Sequence, residues 1–161
     1  MSTKAQKKDT GVWYKDGLQF TCTRCGKCCQ DREDPTFVFL EEDDIQRLSE
    51  CMNISPKQVL QRYCQWSGED GYTLKRKPGS CIFFDECIGC RVYPARPLQC
   101  RTWPFWPWNM RQENWNDAVK FCPGCNKGEK HNAREIETTA KMMLGRRGEG
   151  SLWPGEISLP K

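Results

Sequence analysis

The chain has 161 residues, enough for one domain, and Leu, Ile, Val and Phe together supply less than a fifth of it. A formal charge of only +4 is too small for the charge-expanded composition of a disordered chain, and the scattered basic residues do not form the stripe of a nucleic-acid binder. With twelve cysteines and ten prolines, the composition points to a fold held partly by cross-links or metals, not by a large aliphatic core.

Residues 1–20 lack the apolar core of an export signal, and no apolar run approaches the roughly 18 residues of a membrane span. A cytoplasmic location with no membrane partner is therefore expected. In that reducing compartment, repeated cysteine spacings read as metal-binding or catalytic before they read as disulfides. His131 is the single histidine, so a His-based metal site and a conventional Ser-His or Cys-His pair are both disfavoured.

In chain order, residues 1–17 read as a flexible polar tail and residues 18–128 as a cysteine-cluster metal-binding domain. Residues 129–161 read as a C-terminal helix and tail packed on that domain. The run Phe20-Thr-Cys22-Thr-Arg-Cys25-Gly-Lys-Cys28-Cys29 places four thiols in eight residues. A C-x2-C turn aims two sulfurs at one point, and Gly26 permits the close approach. Adjacent Cys28 and Cys29 are expected to diverge in an extended chain and to serve two neighbouring centres, or one centre and a packing role.

Residues 36–40 form a β-prone apolar run. Glu41 to Asp44 place negative charge on the first turn of a helix whose stripe is Ile45, Leu48 and Met52. Ser55, Pro56 and Gln58 form the N-cap, first position and capping box of a second helix. Cys51 and Cys64 lack a C-x2-C neighbour and read as small buried residues. A strand is expected at 72–74 and a turn at 77–80. Prolines 94, 97, 104 and 107 exclude an unbroken helix through 93–108. Asn132 to Glu135 open a last helix with Ile136, Ala140 and Met143 inward and Gly145 as its stop, and Trp153 packs the tail. The fold class that follows is a small α+β domain, irregular and metal-stabilised, with a few helices and short strands.

Several linked motifs resemble the CxxCxxCC cysteine-cluster, or YkgJ-like, family, which is described as zinc- or iron-chelating. They are Phe20-x-Cys22-x2-Cys25-Gly-Lys-Cys28-Cys29, the acidic helix start before Ile45, Cys81-x8-Cys90, Tyr93-x2-Arg96-Pro97-x2-Cys100-Arg101-x2-Pro104-Phe105, and Cys122-Pro123-Gly124. The resemblance covers residues 18 to 128 and implies a metal-binding role. Flagellin lysine N-methylases share a similar cluster, which makes a metal-dependent protein-modifying enzyme the alternative. No glycine-rich nucleotide fingerprint accompanies it here. Cys87 and Cys125 are extra thiols relative to the family pattern, and either could replace an expected ligand.

Setting aside Cys51, Cys64, Cys87 and Cys125 leaves Cys22, Cys25, Cys28, Cys29, Cys81, Cys90, Cys100 and Cys122 as candidate ligands. Eight thiolates suffice for two [4Fe–4S] clusters or two zinc ions, with one centre and some spare thiols as the competitor. Three features lean towards iron–sulfur: the C-x2-C-x2-C spacing, the shielding run Trp103-Pro-Phe-Trp-Pro-Trp108, and Arg96 and Arg101 as cofactor-binding donors bracketing Cys100. Zinc remains the alternative. The reading is electron transfer, or support of a partner enzyme, by a protein that is not an enzyme on its own and has a protein partner and no nucleic acid. A zinc-stabilised interaction module is the third possibility. Asp43 or Asp44 is the candidate acid or base if there is catalysis.

Overall fold

The computed structural model describes residues 11–144. Its elements are short. β1 (Leu18–Phe20) is followed by a 3-10 turn, Lys27–Cys29, then by β2 (Phe39–Leu40), α1 (Glu42–Met52) and α2 (Pro56–Tyr63). Next come β3 (Cys64–Trp66), β4 (Tyr72–Leu74) and two tight strand pairs, β5 (Arg76–Lys77) with β6 (Ser80–Cys81) and β7 (Phe84–Asp85) with β8 (Gly89–Cys90). The one-turn helix α3 (Leu98–Arg101), then α4 (Gln112–Phe121), β9 (Cys125–His131) and α5 (Ala133–Leu144) complete the order. This is a mixed α+β fold without a dominant sheet, as the composition implies.

α1 begins where the acidic run predicts. Glu41 is its N-cap, and a reciprocal box ties Glu41 to Asp44. Asp44 is fully buried, and its carboxylate accepts the backbone N–H of Glu41 at 3.0 Å and of Leu98 at 2.9 Å. It is a joint between α1 and α3, so the expectation of Asp44 as an acid or base gives way to a structural role. α2 carries the expected Ser55–Gln58 capping box and Pro56 at its first position. α5 starts on a box between Asn132 and Glu135 and buries Ile136, Ala140 and Met143. The expected stop at Gly145 and the role of Trp153 lie outside the described residues.

Several expectations change. The run 36–40 is a strand only at Phe39–Leu40, in a three-stranded antiparallel sheet ordered β2-β4-β3. Thr36 is diverted, its N–H to Asp31 and its carbonyl to the Arg76 guanidinium. The Gln99 side chain then occupies the open edge, accepting from the Phe39 N–H and donating to the Phe37 carbonyl. Cys51 is exposed, because it lies on the outer face of α1, whereas Cys64 is buried as expected. Residues 12–17, expected as tail, contribute Val12 and Tyr14 to the core, and the Trp13 indole donates to the Met110 carbonyl at 2.8 Å.

The buried side chains form two clusters. One is rich in aromatics and joins Val12, Tyr14 and Leu18 to Phe105, Trp115 and Ile136. The other is mainly aliphatic and joins Val38, Leu40 and Leu48 to Val59, Leu74 and Phe83. α4 has no side-chain cap, and its stripe of Trp115 and Ala118 is brief, so the sequence pattern did not announce it. β1 pairs with β9, Leu18 opposite His131, through a register break at Phe20. β9 carries no apolar alternation in sequence: pairing and the Thr21 hydroxyl, which accepts the Glu129 N–H, hold it, not buried side chains.

Candidate metal centre

Between the two clusters lies a cavity of about 60 Å³, several times the ~10–15 Å³ that one water-sized sphere requires. All eight candidate ligands line it: Cys22, Cys25, Cys28, Cys29, Cys81, Cys90, Cys100 and Cys122. They arrive from six places: the β1 exit and the 3-10 turn deliver two each, and β6, β8, α3 and the end of α4 deliver one each. Cys51, Cys64, Cys87 and Cys125 are not in its wall.

The local backbone explains the first four. Gly26, at φ +72°, sets the start of the turn Lys27–Cys29, and a Cβ there would overlap the Phe84 ring. The turn replaces the extended conformation expected at Cys28-Cys29. Their sulfurs therefore do not diverge but share a hydrogen bond. Each still has its own flank: Cys28 faces Cys122, and Cys29 is bonded to Cys90 with Cys81 beyond. Gly124 allows the Cys122 turn to lie against the Thr21 backbone, where a Cβ would collide with the Thr21 carbonyl.

The electrostatics suit anionic sulfur. Among the described residues, Arg24, Lys27 and Arg96 are the charged residues in the wall, and no carboxylate or imidazole lines it. The Arg24 and Arg96 guanidinium carbons each sit 3.9 Å from the Tyr93 ring centroid, so the phenol holds two cations at the cavity wall. The Tyr93 hydroxyl bonds to Cys22, and burial first, then that bond, pushes its ionisation up. Arg96 also helps lower Cys28 and Cys90. Arg101 lies outside the wall, near Asp43 and Arg47, and is exposed. Arg24, Lys27 and Tyr93 were not among the expected site residues. Their signal is position alone, two inside the C-x2-C-x2-C-C run and one opening the Tyr93-x2-Arg96 motif.

The thiols are unequal. A hydrogen bond from Cys125, followed by the nearby Trp103 indole, holds Cys122 down at about 5, while its partner Cys125 is pushed up. Cys90 falls to about 7, chiefly through its bond with Cys29. Burial pushes Cys100 and Cys81 up. Among the described residues, the buried Trp103 indole nitrogen completes no hydrogen bond of full geometry, although Cys122 is its neighbour. A thiolate or sulfide-rich group at Cys122 would receive that N–H, which makes the residues present a fit for an anionic sulfur-ligated centre. Among the described residues, no three Cys, His, Asp or Glu side chains close on one point as the shell of a single ion does. The lone histidine serves structure: His131 Nε2 lies 3.0 Å from the Phe20 carbonyl, and its ring meets Phe105 edge-on.

A small α+β domain whose thiols converge on one basic-walled cavity has the donor set of a metal-binding protein of the cysteine-cluster type. The chain belongs to the CxxCxxCC family, whose description reads "Putative zinc- or iron-chelating domain" and whose model matches residues 21–140. It is also 34% identical over 95 residues to a protein of Methanocaldococcus jannaschii named Uncharacterized protein MJ0661, a match covering 57% of this chain and 48% of the relative. The chain thus spans about half the length of that relative. No solved structure matches it. Among the described residues, no helix is long and apolar enough to cross a membrane.

Proposed function

We propose that the eight-thiol cavity holds iron–sulfur, in one or two [4Fe–4S] clusters, and that the protein transfers electrons or supports a partner enzyme. The observation that carries this reading is the convergence of eight cysteines, with no other metal-ligating side chain among the described residues, on one wall that also bears three cations. Thiolate-only donor sets suit iron–sulfur and zinc alike. One feature favours the larger inorganic group: a buried indole N–H adjoins Cys122 and suits a sulfide-rich neighbour. When bound, such a cluster supplies one-electron chemistry. The chain's own residues would hold it through the eight sulfurs, compensate its charge through Arg24, Lys27 and Arg96, and shield it with Phe20, Phe83, Trp103 and Phe121.

Purification without oxygen, followed by assays of iron, zinc and acid-labile sulfide, tests the reading. Brown protein containing iron and sulfide in equal amounts, bleached reversibly by dithionite, is expected. Colourless protein carrying zinc and no sulfide overturns it in favour of a zinc-stabilised interaction module. Cys28→Ser and Cys100→Ser should each lose metal, whereas Cys51→Ser, on the outer face of α1, should keep full stoichiometry.

A further inference from the structure

A second cleft, of about 390 Å³, opens beside the thiol cavity and shares Cys28, Trp103 and Phe121 with it. Its size falls in the ~300–1,000 Å³ range of small-molecule sites, which are typically aromatic-lined with a few fixed polar groups. Trp103, Trp106, Trp108 and Phe121 supply the rings. Trp103 meets Trp106 at 83° and Phe121 at 86°, so the walls are held edge-to-face and present ring surfaces in more than one plane.

The polar groups are fixed too. The Trp106 indole donates to the Gln99 carbonyl, Asn109 to the Pro104 carbonyl and Asn114 to the Trp108 carbonyl, all at 2.8 to 2.9 Å. The acidic residue of the wall, Asp117, is exposed and already paired with Lys120 at 2.9 Å. Arg32 differs. Its guanidinium carbon lies 3.2 Å over the Phe121 ring, and among the described residues it makes no ion pair. A guanidinium stacked by one face keeps its N–H edge for a planar anion such as a carboxylate or phosphate.

We infer that this cleft binds a small ligand combining a planar aromatic ring with an anionic group, the ring among the tryptophans and the anion on Arg32. The ligand would rest against the wall that also carries Cys28, immediately beside the metal centre. The inference does not depend on which metal that centre holds.

Calorimetric titration of the metal-loaded full chain tests it, with three kinds of probe. Flavin mononucleotide and adenosine monophosphate present a phosphate, indole-3-acetate presents a carboxylate, and riboflavin, adenosine and indole-3-acetamide are their uncharged counterparts. At least one charged probe should bind in the micromolar range, at least tenfold more tightly than its uncharged counterpart, and the responding arm identifies the anion. Arg32→Gln should weaken that binding at least tenfold with metal content unchanged, and Trp108→Ala should weaken it similarly. Trp66→Ala, at an exposed tryptophan on β3 away from the cleft, should leave it unchanged. Absence of binding by every charged probe at about 1 mM overturns the inference. So does equal binding of charged and uncharged probes, or binding unaffected by Arg32→Gln. Metal content, measured in the same samples, separates these outcomes from any failure of the metal-centre reading.

Discussion

The aromatic and aliphatic cores are of similar size but are assembled differently. The aliphatic core draws on residues 38 to 95, an almost contiguous stretch whose helices and sheet are sequence neighbours. The aromatic core joins residues 12–18 to residues 105–140, and its strand pair sets Leu18 against His131 across most of the chain. Closing so long a loop costs conformational entropy that the few contacts of β1 and β9 must offset. The thiol cavity lies where the two meet. Its wall takes Cys122, Trp103 and Phe20 from the aromatic side, and Cys81, Leu74 and Phe83 from the aliphatic side. The difference teaches what a metal does here beyond chemistry: thiolate bonds between the run from Cys22 to Cys29 and Cys122 would close the long loop directly.

Removing the metal should therefore have the largest effect, and an unequal one. Structural thiolate sites contribute on the order of 10 kcal/mol, comparable with a domain's whole stability of about 5–15 kcal/mol. Chelation should abolish the near-ultraviolet dichroism of the aromatic core, where Trp13, Trp103 and Trp115 pack, before helical signal from α1 and α2 is lost. Simultaneous loss of both would show that the cores are not separable.

Single core truncations come next. Trp115, 2% exposed and stacked parallel on Phe105 at 5.9 Å, should cost about 3–5 kcal/mol as Trp115→Ala. Leu48→Ala, at a fully buried position in the other core, should cost about 2–5 kcal/mol. Denaturant unfolding with metal analysis sharpens the comparison: Trp115→Ala should also weaken metal retention, because Cys122 belongs to its core, whereas Leu48→Ala should leave α5 and the β1–β9 pair protected from hydrogen exchange.

Gly26→Ala should cost about 1–2 kcal/mol for the left-handed backbone alone, plus displacement of Phe84, and should lower metal content together with stability. Unchanged metal content would show that the 3-10 turn does not need its glycine.

The smallest effect is a pH dependence. Burial pushes the Cys64 thiol up from 9.0 to about 11, with Lys75 opposing. The folded state then holds a proton that the unfolded state gives up. The contribution is complete below pH 9 and is lost as pH rises towards 11, by at most about 1.4 kcal/mol per pH unit. Cys64→Val should flatten that slope in urea titrations between pH 9 and 11 while leaving metal content unaltered, since Cys64 is outside the cavity wall.

Much of the local structure was legible. The capping boxes of α1, α2 and α5 are short-range hydrogen-bond devices, written in three or four consecutive residues, and each starts a helix where its residues stand. α4 was not legible, because it has no cap and begins after two prolines in an aromatic run. Cys51 was misplaced for a related reason: a lone cysteine near the end of a helix carries no marker of which side faces inward. The tail assignment of residues 12–17 failed because Val12 and Tyr14 find their partners in α4, α5 and the turn Pro107–Met110, far away in sequence.

Composition and spacing determine that this is a thiol-rich, aliphatic-poor α+β chain, and the family resemblance, by setting Cys87 and Cys125 apart, marks the eight cysteines that turn out to share a wall. Tertiary structure alone decides that the eight meet in one cavity, that Arg24 and Arg96 both stack on Tyr93 at its edge, and that Arg32, which makes no ion pair among the described residues, lies in an aromatic cleft beside it. The physical reason is range. Turns, caps and C-x2-C geometry act over a few residues and are visible in the string, whereas the meeting of Cys22 with Cys122 depends on how two separate cores pack, which no local pattern encodes.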